Sequence, residues 1–454
     1  MECKKLYSGL QLFLSFSSSI IPQNLIFTTY SLLAIIITCL IIVPMYIKLP
    51  ALLSSVLLLG APPLASSKPT TSSDPFQPYV ISAKNIQATL IPYGATLTSL
   101  LVNDRDGKQQ DVVVGYDDPK QYKIDTETNH TYFGCIVGRY ANRIKNGSFE
   151  LDGVKYDITK NENHDTQTLH GGVIGYDQRP WTVVNHTENS ITFSLLDTGF
   201  EGFPGEVITY ATLSVRSSCT KDDTKCETKL TAKTVSLALT EETPIMLSHH
   251  IYWNLNGFKK PNVLEDTTLQ LPLSKRFIKI DSAAIPTGEL SDTATAFGGA
   301  LDFTQPKLIG KDIASAKNCG ANCTGYDNAF IIDRPNSESD WTSSPETMAV
   351  VLRMASRTTG ISMQVTTNQK AVQIYSCNNQ NGTIPVKKSQ TNRNKMEGGY
   401  EYVDVINKYG CIVIETEGWI DGISNPEWGQ NPYQIYSPET GPAVNWATFT
   451  FGNI

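Results

Sequence analysis

The apolar stretches of this chain are short. From residue 79 onward they run for only a few residues between clusters of Gly, Asn, Asp and Pro, as at 111–114, 190–195, 206–213, 349–352, 361–365, 372–375 and 411–414. β-Branched and aromatic side chains dominate them, and no long segment carries apolar residues at helical spacing, which is the pattern of strands. Asp106-Gly107 and Asp152-Gly153 are hairpin-turn dipeptides. Neither an internal repeat at solenoid or propeller period nor a shift in composition marks a second domain. The expectation is an all-β chain with a single domain over 79–454, a large antiparallel β-sandwich. Two polar insertions, 217–228 and 333–346, read as surface loops.

The beginning of the chain has a different character. Residues 25–47 contain no charged side chain, a length that could span a bilayer, and 49–60 form a second apolar run. Read from Met45, a short positive segment, the run 49–59 and the small residues up to Ser67 make a signal peptide with a cleavage site. The expected organisation is therefore 1–44 as an over-extended reading frame or a signal anchor, 45–65 as a signal peptide, and 66–78 as a Ser/Thr/Pro linker. The expected location is outside the cell, with a membrane-anchored form as the alternative if 25–47 is retained.

Five Asn-X-Ser/Thr triplets, at Asn129, Asn146, Asn185, Asn322 and Asn381, agree with that route. So do the seven cysteines beyond the leader, in which no paired zinc pattern occurs. Cys219 and Cys226 bracket a polar turn, Cys319 and Cys323 close a short loop, and Cys377 and Cys411 fall at two strand ends; all six are disulfide candidates. Cys135, in the apolar run 133–137, is left as a buried thiol. A formal net charge of −7 and no basic run give no footprint for nucleic acid.

The stretch Ser248-His249-His250-Ile251-Tyr252-Trp253-Asn254-Leu255 is apolar enough for a buried strand yet holds two adjacent histidines. Neighbouring side chains of a strand point to opposite faces, so only one of them looks into a given pocket. Of the six histidines, His130 and His186 lie in glycosylation triplets and are expected at the surface, which leaves His164, His170, His249 and His250 as acid–base candidates. Other segments join polar side chains to glycines that admit close backbone approach: Gly138-Arg139-Tyr140-Ala141-Asn142-Arg143-Ile144, Leu169-His170-Gly171-Gly172, Gly325-Tyr326-Asp327, and Glu415-Thr416-Glu417-Gly418 after an apolar strand. Each alone has a structural reading, since a turn Asp caps backbone and a Gly pair takes positive φ.

Taken in order, these segments, with Val372-Gln373-Ile374-Tyr375, Glu201-Gly202-Phe203-Pro204-Gly205-Glu206 and Ile285-Pro286-Thr287-Gly288-Glu289, give a chain that resembles the aldose 1-epimerase family, the galactose mutarotases. The resemblance covers residues 79 to the C-terminus. It implies the family's β-sandwich and the interconversion of α- and β-anomers of a free aldohexose such as glucose or galactose, with no cofactor and no metal. Matched by motif, Glu415 is the general base, His250 the general acid and His170 a second active-site histidine. Asn142, Arg143, Asp327 and Gln373 match hydroxyl-binding positions, Tyr252 or Trp253 a wall beside the sugar, and Arg139 a structural position. Glu417 stands where the family more often has Gln, and His249 where many relatives have Asn. The resemblance implies an ionised Glu415 and a protonated His250, a sugar as the partner, and a monomer.

Three rivals remain at this point. A hexose-6-phosphate 1-epimerase needs a rim of Arg or Lys. A non-catalytic carbohydrate-binding sandwich has no need of His250 with Glu415. Glycoside hydrolysis by Asp327 and Glu415 leaves the histidines without a task.

Overall fold

The computed structural model describes residues 74–220, 226–334, 348–398 and 403–454. The expected anchor, signal peptide and residues 66–73 of the linker lie outside these, as do 335–346 of the second polar insertion. Among the described residues no helix is long and apolar enough to cross a membrane.

Strands carry the fold. Nine of them make one antiparallel sheet in the order Thr182–His186, Ser190–Asp197, Val207–Cys219, Cys226–Ala238, Ala443–Asn453, Ile361–Thr367, Leu352–Ser356, Thr267–Gln270 and Lys307–Leu308. The C-terminal strand thus sits in the middle of this sheet. A six-stranded sheet runs Ile251–Trp253, Ile412–Glu417, Ala371–Tyr375, Asp327–Ile331, Arg276–Ile280 and Pro286–Asp292. A four-stranded meander, from Tyr79–Ala83 to Gln109–Asp111, shares one continuous apolar core with both. Trp253 is fully buried there, its ring 4.9 Å from Phe449 and 5.9 Å from Phe451 across the two sheets. Truncating such a side chain to Ala costs about 3–5 kcal/mol.

Alternation along the six-stranded sheet gives the molecule its site. Ile251, Trp253, Ile412, Ile414, Val372 and Ile374 belong to the core cluster. Their neighbours Tyr252, Val413, Glu415, Glu417, Gln373 and Tyr375 therefore stand on the other face. Pairing of Ile251 with Ile414 and of Gln373 with Glu415 lines up these residues across adjacent strands.

The two described α-helices are short, Gln121–Thr126 and Lys388–Glu397. The second is polar throughout and is held by tertiary bonds instead of an apolar face. Buried Lys387, just before it, donates to Asp111 Oδ2 (2.7 Å) and to Thr98 O. Gln390 donates to Asp111 O, Asn394 to Gly257 O, and Glu397 accepts from buried Lys259 at 2.7 Å.

Several expectations change. The insertion 217–228 is strand at both ends: 217–219 and 226–228 continue the long hairpin strands Val207–Cys219 and Cys226–Ala238, and 221–225 lie outside the description. The strand expected at 349–352 begins at Leu352. Asp152 (φ 49°) and Gly153 (φ 78°) form the expected hairpin turn between Ser148–Leu151 and Val154–Asp157, both in the left-handed region that a two-residue turn requires. Cys219–Cys226, Cys319–Cys323 and Cys377–Cys411 are all bonded, and Cys135 is free and buried. Asn129, Asn146, Asn185, Asn322 and Asn381 are all exposed.

Candidate active site

The floor of the site is the polar face of the six-stranded sheet. Register continues from Ile251–Ile414 to place His250 opposite Glu415, and His250 Nε2 lies 3.5 Å from Glu415 Oε1. Gln373, paired with Glu415 on the other side, donates through Nε2 to Asp327 Oδ1 at 2.6 Å. His250, Glu415, Gln373 and Asp327 thus come from four neighbouring strands or strand ends.

His170 arrives from a loop. Its own N–H bonds Asn142 O, and the Asn142 N–H donates to His170 Nδ1 at 3.1 Å. A backbone amide can only donate, so Nδ1 accepts and the proton of the neutral ring sits on Nε2. The turn that delivers the ring needs positive φ at His170 (50°), Gly171 (92°) and Gly172 (113°), and a Cβ at Gly171 would collide with the Gly138 carbonyl. Glu201 fastens the far end of the turn, accepting from the Val173 and Ile174 amides.

One atom each from His170, His250 and Glu415 lies within 4.8 Å of the others. Imidazole and carboxylate donors at this spacing are also what a divalent cation would use. Two imidazoles around one carboxyl equally make a proton-transfer set.

Burial dominates the electrostatics. It lowers His250 to about 3 and drives His170 well below the ordinary imidazole value, the latter helped by the neighbouring His250 and Arg143. It raises Glu415 well above the ordinary carboxyl range, with Glu417 and Asp327 adding repulsion, and raises Glu417 to about 8 and Asp327 in the same direction. The buried site therefore favours neutral partners. These shifts run against the ionised Glu415 and protonated His250 that the resemblance implies, because burial penalises the charged form of each group.

Asn142 and Arg143 reach the site tied to protein groups. Asn142 Nδ2 donates to Glu417 Oε1 at 3.2 Å, and the Arg143 guanidinium forms two 2.8 Å bonds to the carboxylate of Glu162. Tyr252 lies 5.2 Å ring to ring from His250 while its hydroxyl donates to Thr131 O. Trp253 faces the core instead. His249 points the opposite way from His250, its Nε2 2.8 Å from Gly134 O, and burial lowers it to about 4. His164 is exposed and takes no part, and His186 is exposed as expected.

His130 is the exception. It is half-buried, its Nε2 2.8 Å from Asp177 Oδ2, and it stacks on Tyr132, a further ring beside the imidazoles. Arg139 is buried and structural, donating to Asp197 Oδ2 (2.8 Å), Pro204 O and Thr243 Oγ1. Glu162, Tyr132 and Asp177 were missed in the sequence. Only an acid within a polar loop hinted at Glu162, and nothing marked the other two.

The description of the aldose 1-epimerase family matches residues 77–439, most of the chain. The chain belongs to the aldose 1-epimerase family. It is 64% identical over 392 residues to a protein of Arthroderma benhamiae named "Probable aldose 1-epimerase", covering 86% of this chain and 88% of that one. The pig galactose mutarotase is 29% identical over 374 residues, 82% of this chain and 93% of its own. The fold of this family member is shared by the aldose epimerase homologue of C. elegans (TM-score 0.66, 24% identity, 83% of this chain and 99% of that one). It is shared too by the galactose 1-epimerase of Lactobacillus acidophilus (TM-score 0.61, 19% identity, 83% and 95%).

Proposed function

We propose that this aldose 1-epimerase family member interconverts the α- and β-anomers of free aldohexoses, glucose and galactose among them, with Glu415 as base and His250 as acid. The observation that carries the reading is the buried His250–Glu415 pair, 3.5 Å apart on adjacent strands, with His170 beside it. A sugar entering the site donates hydrogen bonds to a carboxylate and accepts one from an imidazolium. Binding thus favours the charged pair that burial alone disfavours, and one proton passes from Glu415 to His250. Glu415 then removes the proton of the C1 hydroxyl while His250 protonates the ring oxygen. The C1–O5 bond breaks, a C1 carbonyl forms, and rotation about C1–C2 offers the other face to ring closure. Reversal of the two proton transfers restores the starting pair, so protons balance over a cycle. Neutral His170, with its proton on Nε2, supplies a donor beside the ring oxygen.

The arrangement speaks against the phosphate reading. Arg143 is the guanidinium of this cluster, and Glu162 already matches it with two bonds. A binding module, for its part, has no use for a buried proton-transfer pair.

Polarimetry of freshly dissolved α-D-glucose and α-D-galactose tests the proposal. The protein should speed the approach to the same final rotation, and Glu415→Gln and His250→Asn should each slow it at least about 100-fold. Folded variants that keep near-normal rates would sink the assignment.

We further propose that the chain works outside the cell as a monomer. Three cystine pairs and five exposed glycosylation triplets support the location. Protein recovered from the medium, shrinking on endoglycosidase treatment and sedimenting as one chain, is the expected result. A reduced, unglycosylated protein inside the cell would overturn it.

A further inference from the structure

One aromatic ring at the site has no task in the mechanism above. Tyr132 lies 4.7 Å from His170 and 5.7 Å from His250, ring centre to ring centre. Its other neighbour is His130, stacked on it at 4.0 Å with the planes 28° apart. His130 in turn meets the buried Asp177 carboxylate at 2.8 Å. Asp177, His130, Tyr132, His170, His250 and Glu415 thus form one unbroken run of contacts through the molecule, ending at a buried carboxyl on either side.

We infer that Tyr132 is a further substrate-contacting residue of this site, and that His130 with Asp177 is the brace that positions it. The inference rests on the proposed sugar chemistry and adds a residue to it. Tyr132 is partly exposed, and its hydroxyl bonds no protein atom among the described residues. Burial holds the phenol pKa well above its ordinary value, so the group remains an O–H able both to donate and to accept. A phenol ring held beside two active-site imidazoles, its hydroxyl left unbonded by protein, is suited to a polyol, whose hydroxyls need partners of both kinds once water is displaced.

The local backbone shows that this position is imposed. His130 (φ 49°) and Tyr132 (φ 59°) are both left-handed, a region that L residues avoid unless surrounding contacts hold them. Those contacts are present on each side. Thr131 donates from N (2.9 Å) and Oγ1 (2.6 Å) to Asp125 Oδ2, and its carbonyl accepts from Tyr252 at 2.6 Å. The His130 N–H bonds Asp125 O at 2.7 Å. Asp177 anchors the brace: among the described residues its Oδ1 has no hydrogen-bond partner, and His130 is the side chain that compensates this buried carboxyl through Oδ2.

The test compares Tyr132→Phe, His130→Gln and the double variant with wild type, by polarimetry on glucose and galactose and by equilibrium titration with galactose, after a thermal melt has established folding. Tyr132→Phe removes one oxygen and keeps the ring. It should raise KM about three- to tenfold, the worth of one hydrogen bond, with kcat within about twofold. His130→Gln should raise KM similarly, and the double variant should be no worse than the worse single one, because His130 acts through Tyr132. Unchanged KM and galactose affinity in Tyr132→Phe would overturn the contact, and effects that add in full would overturn the brace. Wild-type protein inactive on both sugars would refute the function proposed above, and the galactose titration would then decide the role of Tyr132 by itself.

Discussion

His250 Nε2 and Glu415 Oε1 face each other at 3.5 Å inside a pocket that favours neither ion. Burial takes the imidazole down to about 3 and the carboxyl well up, so over a wide range the pair holds one proton. The rate should follow that one-proton state. We expect kcat/KM to fall on the acid side only near pH 3, where His250 takes a second proton. On the alkaline side it should fall above the ordinary carboxyl range, as Glu415 gives up the last one. A pH–rate profile with its acid limb near pH 6.5, the value of an unperturbed histidine, would contradict this account.

Folding stability should depend on pH through the same burial. Glu417 rises to about 8 and Asp421 to about 7 in the folded chain. The folded state therefore keeps protons that unfolded carboxyls release, and this contribution is present at low pH and lost as pH climbs through those values. His249 and His250, lowered to about 4 and about 3, act oppositely, gaining stability with pH only up to the unfolded imidazole value near 6.5. Between pH 6.5 and 8 the carboxyls act alone, and stability should decline. Denaturant melts at pH 6.5 and 8.5 measure this, and Glu417→Gln, which stays neutral, should flatten the decline. A steeper decline in that variant would argue against a protonated Glu417.

Gly171→Ala should harm the reaction more than the fold. Its φ of 92° and the collision of a new Cβ with the Gly138 carbonyl push the turn away from its seat. The strain costs about 1–3 kcal/mol. His170 leaves its bond to the Asn142 amide, and a displacement of about 1 Å in a reacting group is worth on the order of 100-fold in rate. An active, equally stable variant would show that the turn tolerates a side chain.

Cys377 and Cys411 flank the paired strands Ala371–Tyr375 and Ile412–Glu417 and close a loop of 34 residues. Such a cross-link removes about 4 kcal/mol of chain entropy from the unfolded state. Replacing both by Ser should lower stability by about 2–4 kcal/mol in equilibrium denaturation. Equal stability with and without the bond would mean that the unfolded chain is already compact there.

Much of this was legible in the sequence, for physical reasons that can be named. A strand with one dry and one wet face writes period two into the chain, so Ile412-Val413-Ile414-Glu415 declares both its conformation and the odd carboxyl. The order of motifs gave the family and placed His250, and not His249, on the site face. Pairings between distant loops left no such trace. Glu162 meets Arg143 only after the 159–169 loop folds back. His130 looked like part of a surface triplet until Asp177, 47 residues away, supplied a partner. The helix Lys388–Glu397 has no apolar stripe because lysines and amides, and not a greasy face, attach it to the meander.

Core and chemistry alternate residue by residue along Ile412–Glu417, with isoleucines to one side and both glutamates to the other. The identity of the site is therefore a matter of parity. Insertion or deletion of one residue within this strand would send Glu415 into the hydrocarbon interior and an isoleucine into the sugar pocket, a double fault that no nearby substitution repairs. This six-residue strand therefore tolerates substitution but not a change of count, since a shift of one residue loses core and site together.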